Sequence, residues 1–369
     1  MPLKHINPSE YRDHLNHKIG QFKQDFATLN LPEISVFESS PLHYRMRAEF
    51  RMFHHGDRVD YAMFAADAPK KPVIISEFPI AAPAICRLMP RLREAVQGVP
   101  VLKQGLFQVD FLASVSGQLL VTLVYHRALG EDWESAARKM ASELDVLIVG
   151  RSRKQKVVLQ RDWLEEVLEV DGRHLRSQQV ESSFTQPNAE VNRKMLSWAR
   201  TQCQGAGGDL LELYCGNGNF TLALAPLFRK VLATEVSKTS VKAAEYGLAE
   251  NRIENVTLVR MSSDEISRAL TRTEVFRRMA DVDLNSYAFS TLFVDPPRAG
   301  LDEQTLALAR GFDRVLYISC NPQTLRDNVM ALQDTHQISA AAAFDQFPYT
   351  HHLEAGLLLT RRQGASASS

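Results

Sequence analysis

Cysteine is scarce in this chain of 369 residues. It has four, Cys86, Cys203, Cys215 and Cys320, and no two stand as C-x-x-C. Such spacing excludes the usual zinc and iron–sulfur frameworks and a disulfide-stapled fold. Net charge is missing too: 43 basic residues balance 43 acidic ones, so the whole chain is no electrostatic magnet for nucleic acid. Any polyanion must be held by local patches. No apolar run is long enough to span a bilayer. His5, Glu10, Tyr11 and Arg12 break any apolar core of a leader at the start. These absences together predict a cytoplasmic protein with free thiols, no metal and no membrane contact. The 45% hydrophobic content is ordinary for a globular chain, and the length suits two domains with an enzyme-sized core.

What is present falls into two rhythms. From about Leu210, short apolar runs alternate with helical patterns. DLLELYCG, KVLATEV, VTLVRM, STLFVDPP and RVLYISC have the look of buried strands. SKTSVKAAEYGLAENR and NPQTLRDNVMALQ have the look of helices. This predicts a mainly parallel sheet with crossover helices, whose ligands bind beyond the carboxyl ends of the strands. The first half differs. In HYRMRAEFRMF, Tyr44, Met46, Ala48, Phe50 and Met52 share one face while Arg45, Arg47, Glu49 and Arg51 share the other, as in a half-buried strand. VDYAMFA, LFQVDFLASV and QLLVTLVYH predict further strands; ICRLMPRLREAVQ and DWESAARKMASELDVL predict helices. The expected organisation is an N-terminal helical segment over 1–40, an α+β domain around an antiparallel sheet over 41–179, a parallel α/β domain over 180–362 and a disordered tail over 363–369.

Four strand ends in the second half carry candidate chemistry. After the first, Gly216 and Gly218 precede a helix, where glycines admit a ligand close to the backbone. The third glycine of a dinucleotide fingerprint is absent, with Thr221 in its place. The second strand ends in Glu235, 19 residues after Gly216. An acid there can accept hydrogen bonds from both ribose hydroxyls of a nucleoside cofactor, although alone it is more often a solvated strand end. The fourth ends in VDPPR, where Asp295 either orients a substrate or caps a Pro-punctuated turn. The fifth ends in Cys320, with Asn321 as N-cap and Pro322 at the first helical position. A thiol at a helix N-terminus is expected to ionise more readily than a free one.

FTQPN (184–188), ELYCGNGNF (212–220), Glu235 within ATE, DPPR (295–298), SCNP (319–322) and HHLEAG (351–356) stand in one order across the second half, with HYRMRAEFR and LFQVD upstream. In these pieces the chain resembles the RNA 5-methyluridine methyltransferases. It is most similar to their bacterial tRNA-modifying branch, because the four N-terminal cysteines and added β-barrel of many ribosomal-RNA relatives are absent. The resemblance implies a Rossmann-like S-adenosylmethionine-dependent methyltransferase domain with an N-terminal to central α+β RNA-binding domain. It implies methylation of carbon 5 of uridine 54 in the tRNA T-loop, with tmRNA as a further substrate, by a monomer without a metal cluster. Cys320 is implied as nucleophile and Glu354 as base. Gln186, Tyr214, Asn219, Glu235 and Asp295 are implied in the cofactor pocket, with Asp295 and Gln186 also facing the uracil. His351 and His352 are equally RNA contacts or structural residues. Arg45, Arg47 and Arg51 are expected to hold phosphates, and Phe107 to support an opened loop. A ribosomal-RNA enzyme that lost its cluster, an adenine amino-methyltransferase and a tRNA-folding chaperone are the alternatives.

Overall fold

The computed structural model describes residues 6–65, 68–271 and 273–364. The expected tail lies outside the described residues from Ala365 onward. In chain order the strands are β1 (Ile34–Phe37), β2 (Arg47–His55), β3 (Arg58–Ala65), β4 (Ala68–Ile74), β5 (Leu106–Ala113), β6 (Leu119–Tyr125), β7 (Leu147–Ser152), β8 (Gln155–Val158), β9 (Trp163–Val170), β10 (Arg173–Val180), β11 (Asp209–Leu213), β12 (Val231–Thr234), β13 (Val256–Val259), β14 (Phe289–Val294), β15 (Arg314–Ser319), β16 (His336–Phe344) and β17 (Glu354–Arg361). The chain divides into two compact units. The first comprises residues 1–11, 40–167 and 179–189; the second comprises 12–39, 168–178 and 190–369. The division is therefore discontinuous: the N-terminal helix Tyr11–Asp25 belongs, from Arg12 on, to the second unit. The hairpin β9–β10 is shared between the units.

The first unit is α+β. Its seven-stranded sheet has the order β4-β3-β2-β5-β6-β7-β8 and is antiparallel except for the β6–β7 pair. The parallel pair follows from the helix Glu131–Leu144, which carries the chain back across the sheet before β7. The alternation expected for β2 is observed: Ala48, Phe50 and Met52 are buried while Glu49 and Arg51 are exposed. Phe50 packs on Tyr61 and Phe111, and Trp133 is fully buried. Gly150 on β7 makes room for that indole, since a Cβ there would run into the Trp133 ring. The basic run 151–158 forms the β7–β8 hairpin.

The second unit holds an eight-stranded sheet of order β1-β16-β17-β15-β14-β11-β12-β13. The five strands expected from sequence, β11 to β15, are all parallel to their neighbours in this set. β17 runs antiparallel between β15 and β16. β11 and the core of β15 are buried on both faces, as a helix-covered parallel sheet requires. From β11 the chain winds outward through β12 and β13, then crosses back to β14 on the other side. The crevice between β11 and β14 is thus the topological switch point, where doubly wound sheets bind ligands. Among the described residues no helix is long and apolar enough to cross a membrane.

Candidate active site

Sheet register sets the site. Leu213 pairs with Thr234 and with Val294, and Val294 pairs with Tyr317. Just past those pairs stand Tyr214, Glu235, Asp295 and Cys320, each at the carboxyl end of its parallel strand. β17 runs the other way, so its first residue, Glu354, reaches the same edge. Ser319 pairs with Ala355; carrying that register one residue further sets Cys320 opposite Glu354. Directly opposed residues of antiparallel strands put their side chains on one face. Five adjacent strands therefore present Glu354, Cys320, Asp295, Tyr214 and Glu235 in a row.

The loop after β11 is built for close approach. Gly218 has φ of 84°, and a Cβ on it would come within 3.2 Å of Ala244. Tyr214 also has a left-handed φ, 60°, which is uncommon for a bulky residue and gathers at ligand sites. Glu235 accepts from Gly216 N–H at 3.0 Å and Ser237 N–H at 2.7 Å, which fixes its carboxylate beside the glycine loop. Asn219 exchanges two 2.9 Å hydrogen bonds with Asn192, so its amide braces the helix start. Gln186 stands on segment 179–189 of the first unit.

Electrostatics at the row are dominated by burial and crowded carboxylates. Glu354 is 4% exposed; burial and the Asp295 charge hold its carboxyl well above the usual range. Burial raises Asp295 as well. Two adjacent carboxylates of this kind share protons and titrate as a pair. Cys320 is half-buried, and its thiol is pushed up, first by burial and then by Glu354 and Asp295; Arg298 works against this. The expected easy ionisation is thus reversed. The helix Pro322–Leu332 does start there, capped by Asn321, but burial, and after it two carboxylates from neighbouring strands, outweigh its dipole. Sequence offered no sign of that, because the three residues meet only through the sheet.

Two residues of the site, Glu212 and Thr324, were not singled out from sequence. Glu212, on β11, is fully buried, and neither carboxylate oxygen has a hydrogen-bond partner. Burial pushes its carboxyl up to about 8; the nearby Thr221 hydroxyl and N–H pull the other way without reaching hydrogen-bond geometry, and the Asp295 charge adds to the rise. Asn321 and Thr324 both donate to the Arg298 carbonyl, at 3.0 and 3.2 Å, and tie the DPPR loop to the helix after Cys320. Arg298 donates to His352 Nδ1 at 2.8 Å. Among the described residues no cluster of His, Cys, Asp and Glu could hold a metal ion.

In the first unit the arginine face is partly committed. Arg47 donates to the carbonyls of Ser183, at 2.8 Å, and Glu181. Arg45 Nε donates to the Arg47 carbonyl at 2.9 Å. Arg51 instead lies over the Phe107 ring, 3.9 Å from its centroid, and Phe107 stacks on His126 at 3.9 Å. That tower of a cation and two rings is exposed at its Arg51 and His126 ends.

A switch-point crevice with a two-glycine loop, an acid on the next strand and a thiol beside carboxylates defines a Rossmann-like transferase domain of the methyltransferase class. The family model described as tRNA (Uracil-5-)-methyltransferase matches residues 10–362. The tRNA/tmRNA (uracil-C(5))-methyltransferase of Aromatoleum aromaticum is 65% identical over 367 residues, covering all of both chains. That of Azoarcus sp. is 62% identical, covering 98% of this chain and 99% of its own. The crystal structure of Pyrococcus abyssi tRNA (uracil-54, C5)-methyltransferase in complex with S-adenosyl-L-homocysteine shares the fold, with a TM-score of 0.72 at 20% identity over 95% of this chain and 83% of that one. The chain belongs to the tRNA (uracil-5-)-methyltransferase family, the branch that the sequence motifs resemble.

Proposed function

We propose that this chain methylates carbon 5 of a uridine in tRNA, at position 54 of the T-loop, and a uridine in a T-like loop of tmRNA, using S-adenosylmethionine. The observation that carries the reading is the row Glu354, Cys320, Asp295, Tyr214 and Glu235 on five adjacent strand ends.

The residues present fit a nucleoside cofactor. Gly218 holds the loop in a left-handed turn packed against Ala244, Glu235 is oriented for ribose hydroxyls, and the next residue, Val236, offers an exposed apolar face. Tyr214, Asn219 and Asp295 complete the pocket within the second unit. When bound, S-adenosylmethionine supplies an electrophilic methyl group.

Carbon 5 of uracil is a poor nucleophile until a thiolate adds to carbon 6. Cys320 loses its proton to solvent, its sulfur forms that bond, and the electron pair of the carbon 5–carbon 6 double bond moves toward the O4 side of the ring, making carbon 5 enolate-like. Asp295 orients the ring. After carbon 5 is methylated, Glu354 takes its proton, and elimination breaks the bond between sulfur and carbon 6. A carboxylate whose proton affinity is raised by burial is a stronger base for that step. The target base must leave the folded loop to reach the thiol. Arg51 and Phe107, with His126 behind, offer a phosphate contact and a stacking platform for the opened loop, on a face shaped by Arg45 and Arg47.

The test is methyl transfer to a tRNA T-arm stem-loop. The wild-type chain is expected to methylate it, Cys320→Ala to lose all turnover, and a loop with cytidine at the target to be inert. Turnover by Cys320→Ala would reject the covalent route.

A further inference from the structure

A cavity of about 380 Å³ opens beside Cys320 in the second unit. It lies within the size range of small-ligand pockets, roughly 300–1,000 Å³, and offers more room than one pyrimidine ring fills. One wall is the helix Tyr11–Asp25, a segment that none of the site chemistry above uses. His17, Gln21 and Asp25 line the cavity at four-residue spacing, so they form one polar stripe along the helix. The apolar face of that helix, with Leu15, Ile19, Phe22 and Phe26, is buried. Lys18 locks it in place through a 2.7 Å ion pair with Asp345 and a 2.8 Å hydrogen bond to the Phe347 carbonyl.

The stripe and the facing loops differ in chemistry. Gln21 donates to Asp25 at 2.8 Å, which fixes the carboxylate and leaves oxygen acceptors on the helix side. The loops supply donors: the Arg298 guanidinium and His352. Because Arg298 donates to Nδ1, the remaining imidazole proton stands on Nε2. Burial and nearby positive charge hold His352 in its neutral form. Acceptors on one side and donors on the other match a ribose hydroxyl joined to a phosphodiester. Any nucleoside bonded to Cys320 has such a link attached to it.

We propose that this cavity is a subsite for the ribose–phosphate link flanking the reacting uridine, in which Asp25 and Gln21 accept a 2′-hydroxyl and Arg298 and His352 donate to the phosphate. The inference rests on the proposed RNA methylation and adds an RNA-versus-DNA filter on the N-terminal helix, since the 2′-hydroxyl is what separates the two at a given site.

The test uses the full chain with T-arm stem-loops carrying a single 2′-deoxy residue on either side of the target. In the wild type one of the two is expected to lower kcat/KM about tenfold, as loss of a hydrogen bond to a charged group does. Asp25→Ala, or Gln21→Ala should the first variant fold poorly, is expected to lose a similar factor on all-ribose RNA, with the 2′-deoxy change then costing nothing more. Additive penalties, or a wild type indifferent to both deoxy substitutions, would overturn the subsite. The same preparations are mixed with 5-fluorouridine RNA: an adduct on Cys320 with additive penalties rejects the subsite alone, whereas no adduct in the wild type rejects the function on which it rests.

Discussion

Replacing Lys18 by Met tests the anchoring of the N-terminal helix. The Lys18 and Asp345 side chains are 5% and 1% exposed, and Asp345 Oδ2 already lacks a partner. Removing the ammonium leaves a carboxylate with no hydrogen bond from the side chain that held it. A charge that cannot be solvated takes up a proton instead. Neutral pH is about three units above an unfolded carboxyl's ordinary 3.9, so at 1.36 kcal/mol per unit the variant should lose about 4 kcal/mol at pH 7. Broken buried pairs typically cost about 3–5 kcal/mol, which agrees. The sign with pH follows. A carboxyl that folds only when protonated binds more protons in the native state, so the deficit grows with rising pH and shrinks with falling pH. Urea unfolding of Lys18→Met and wild type at pH 5, 6 and 7 should show a gap that narrows by about 1.4 kcal/mol per unit toward acid. A gap under about 1 kcal/mol at pH 7, or one independent of pH, would refute the reasoning.

Three further outcomes are expected. Site-resolved alkylation of Cys320 should show an inflection above the ordinary thiol value of about 8.5, and Glu354→Gln should move it to lower pH by removing a neighbouring negative charge; an inflection below 8 in the wild type would contradict this. Glu212 folds with its carboxyl raised to about 8, so its contribution is fully present below the unfolded value of about 4.3, is lost progressively as pH rises to about 8 and is flat above it; the stability advantage of Glu212→Gln over wild type should grow by about 1.4 kcal/mol per pH unit between pH 5 and 7 and level off by pH 9, and a gap independent of pH would contradict this. Neutralising Arg45, Arg47 and Arg51 together should weaken tRNA binding and flatten its dependence on salt, and Arg51→Ala alone should carry most of that loss because only its guanidinium lies free of carbonyl partners on a ring; unchanged binding on a filter or anisotropy titration would reject the assignment.

Much of the second unit was legible because its strands are buried on both faces. LLEL, VLAT, LFV and LYIS are short buried runs, apolar but for Glu212, Thr234 and Ser319, and in a parallel sheet the residue closing such a run is delivered to the ligand edge. That is why Glu235, Asp295 and Cys320 could be picked out before their geometry was known. Glu354 was different: it opens an antiparallel strand, and nothing local distinguishes LEAGLLL from an edge segment, so only the family motif singled it out. What stayed hidden depends on long-range packing. Lys18 and Asp345 are 327 positions apart, and a lysine in a helix of modest amphipathicity gives no sign of burial. The left-handed Tyr214 sits where a glycine would be expected, so local propensity argues against the conformation it adopts. The arginine stripe on β2 was correctly placed on one face, yet its alternation could not tell Arg47, spent on two carbonyls, from Arg51, stacked on Phe107. The raised thiol of Cys320 was missed for the same reason, since its burial comes from the packed site and the two carboxylates that add to the rise arrive from other strands.

The most direct test of the central claim is to incubate the chain with S-adenosylmethionine and T-arm RNA bearing 5-fluorouridine at the target. Fluorine replaces the proton that Glu354 would remove, so elimination is blocked and the bond between Cys320 sulfur and carbon 6 should persist. The account predicts a denaturation-stable RNA–protein adduct, mapped to Cys320 by mass spectrometry and absent in Cys320→Ala. An adduct that survives in Cys320→Ala, or methylated RNA released without any adduct, would contradict it.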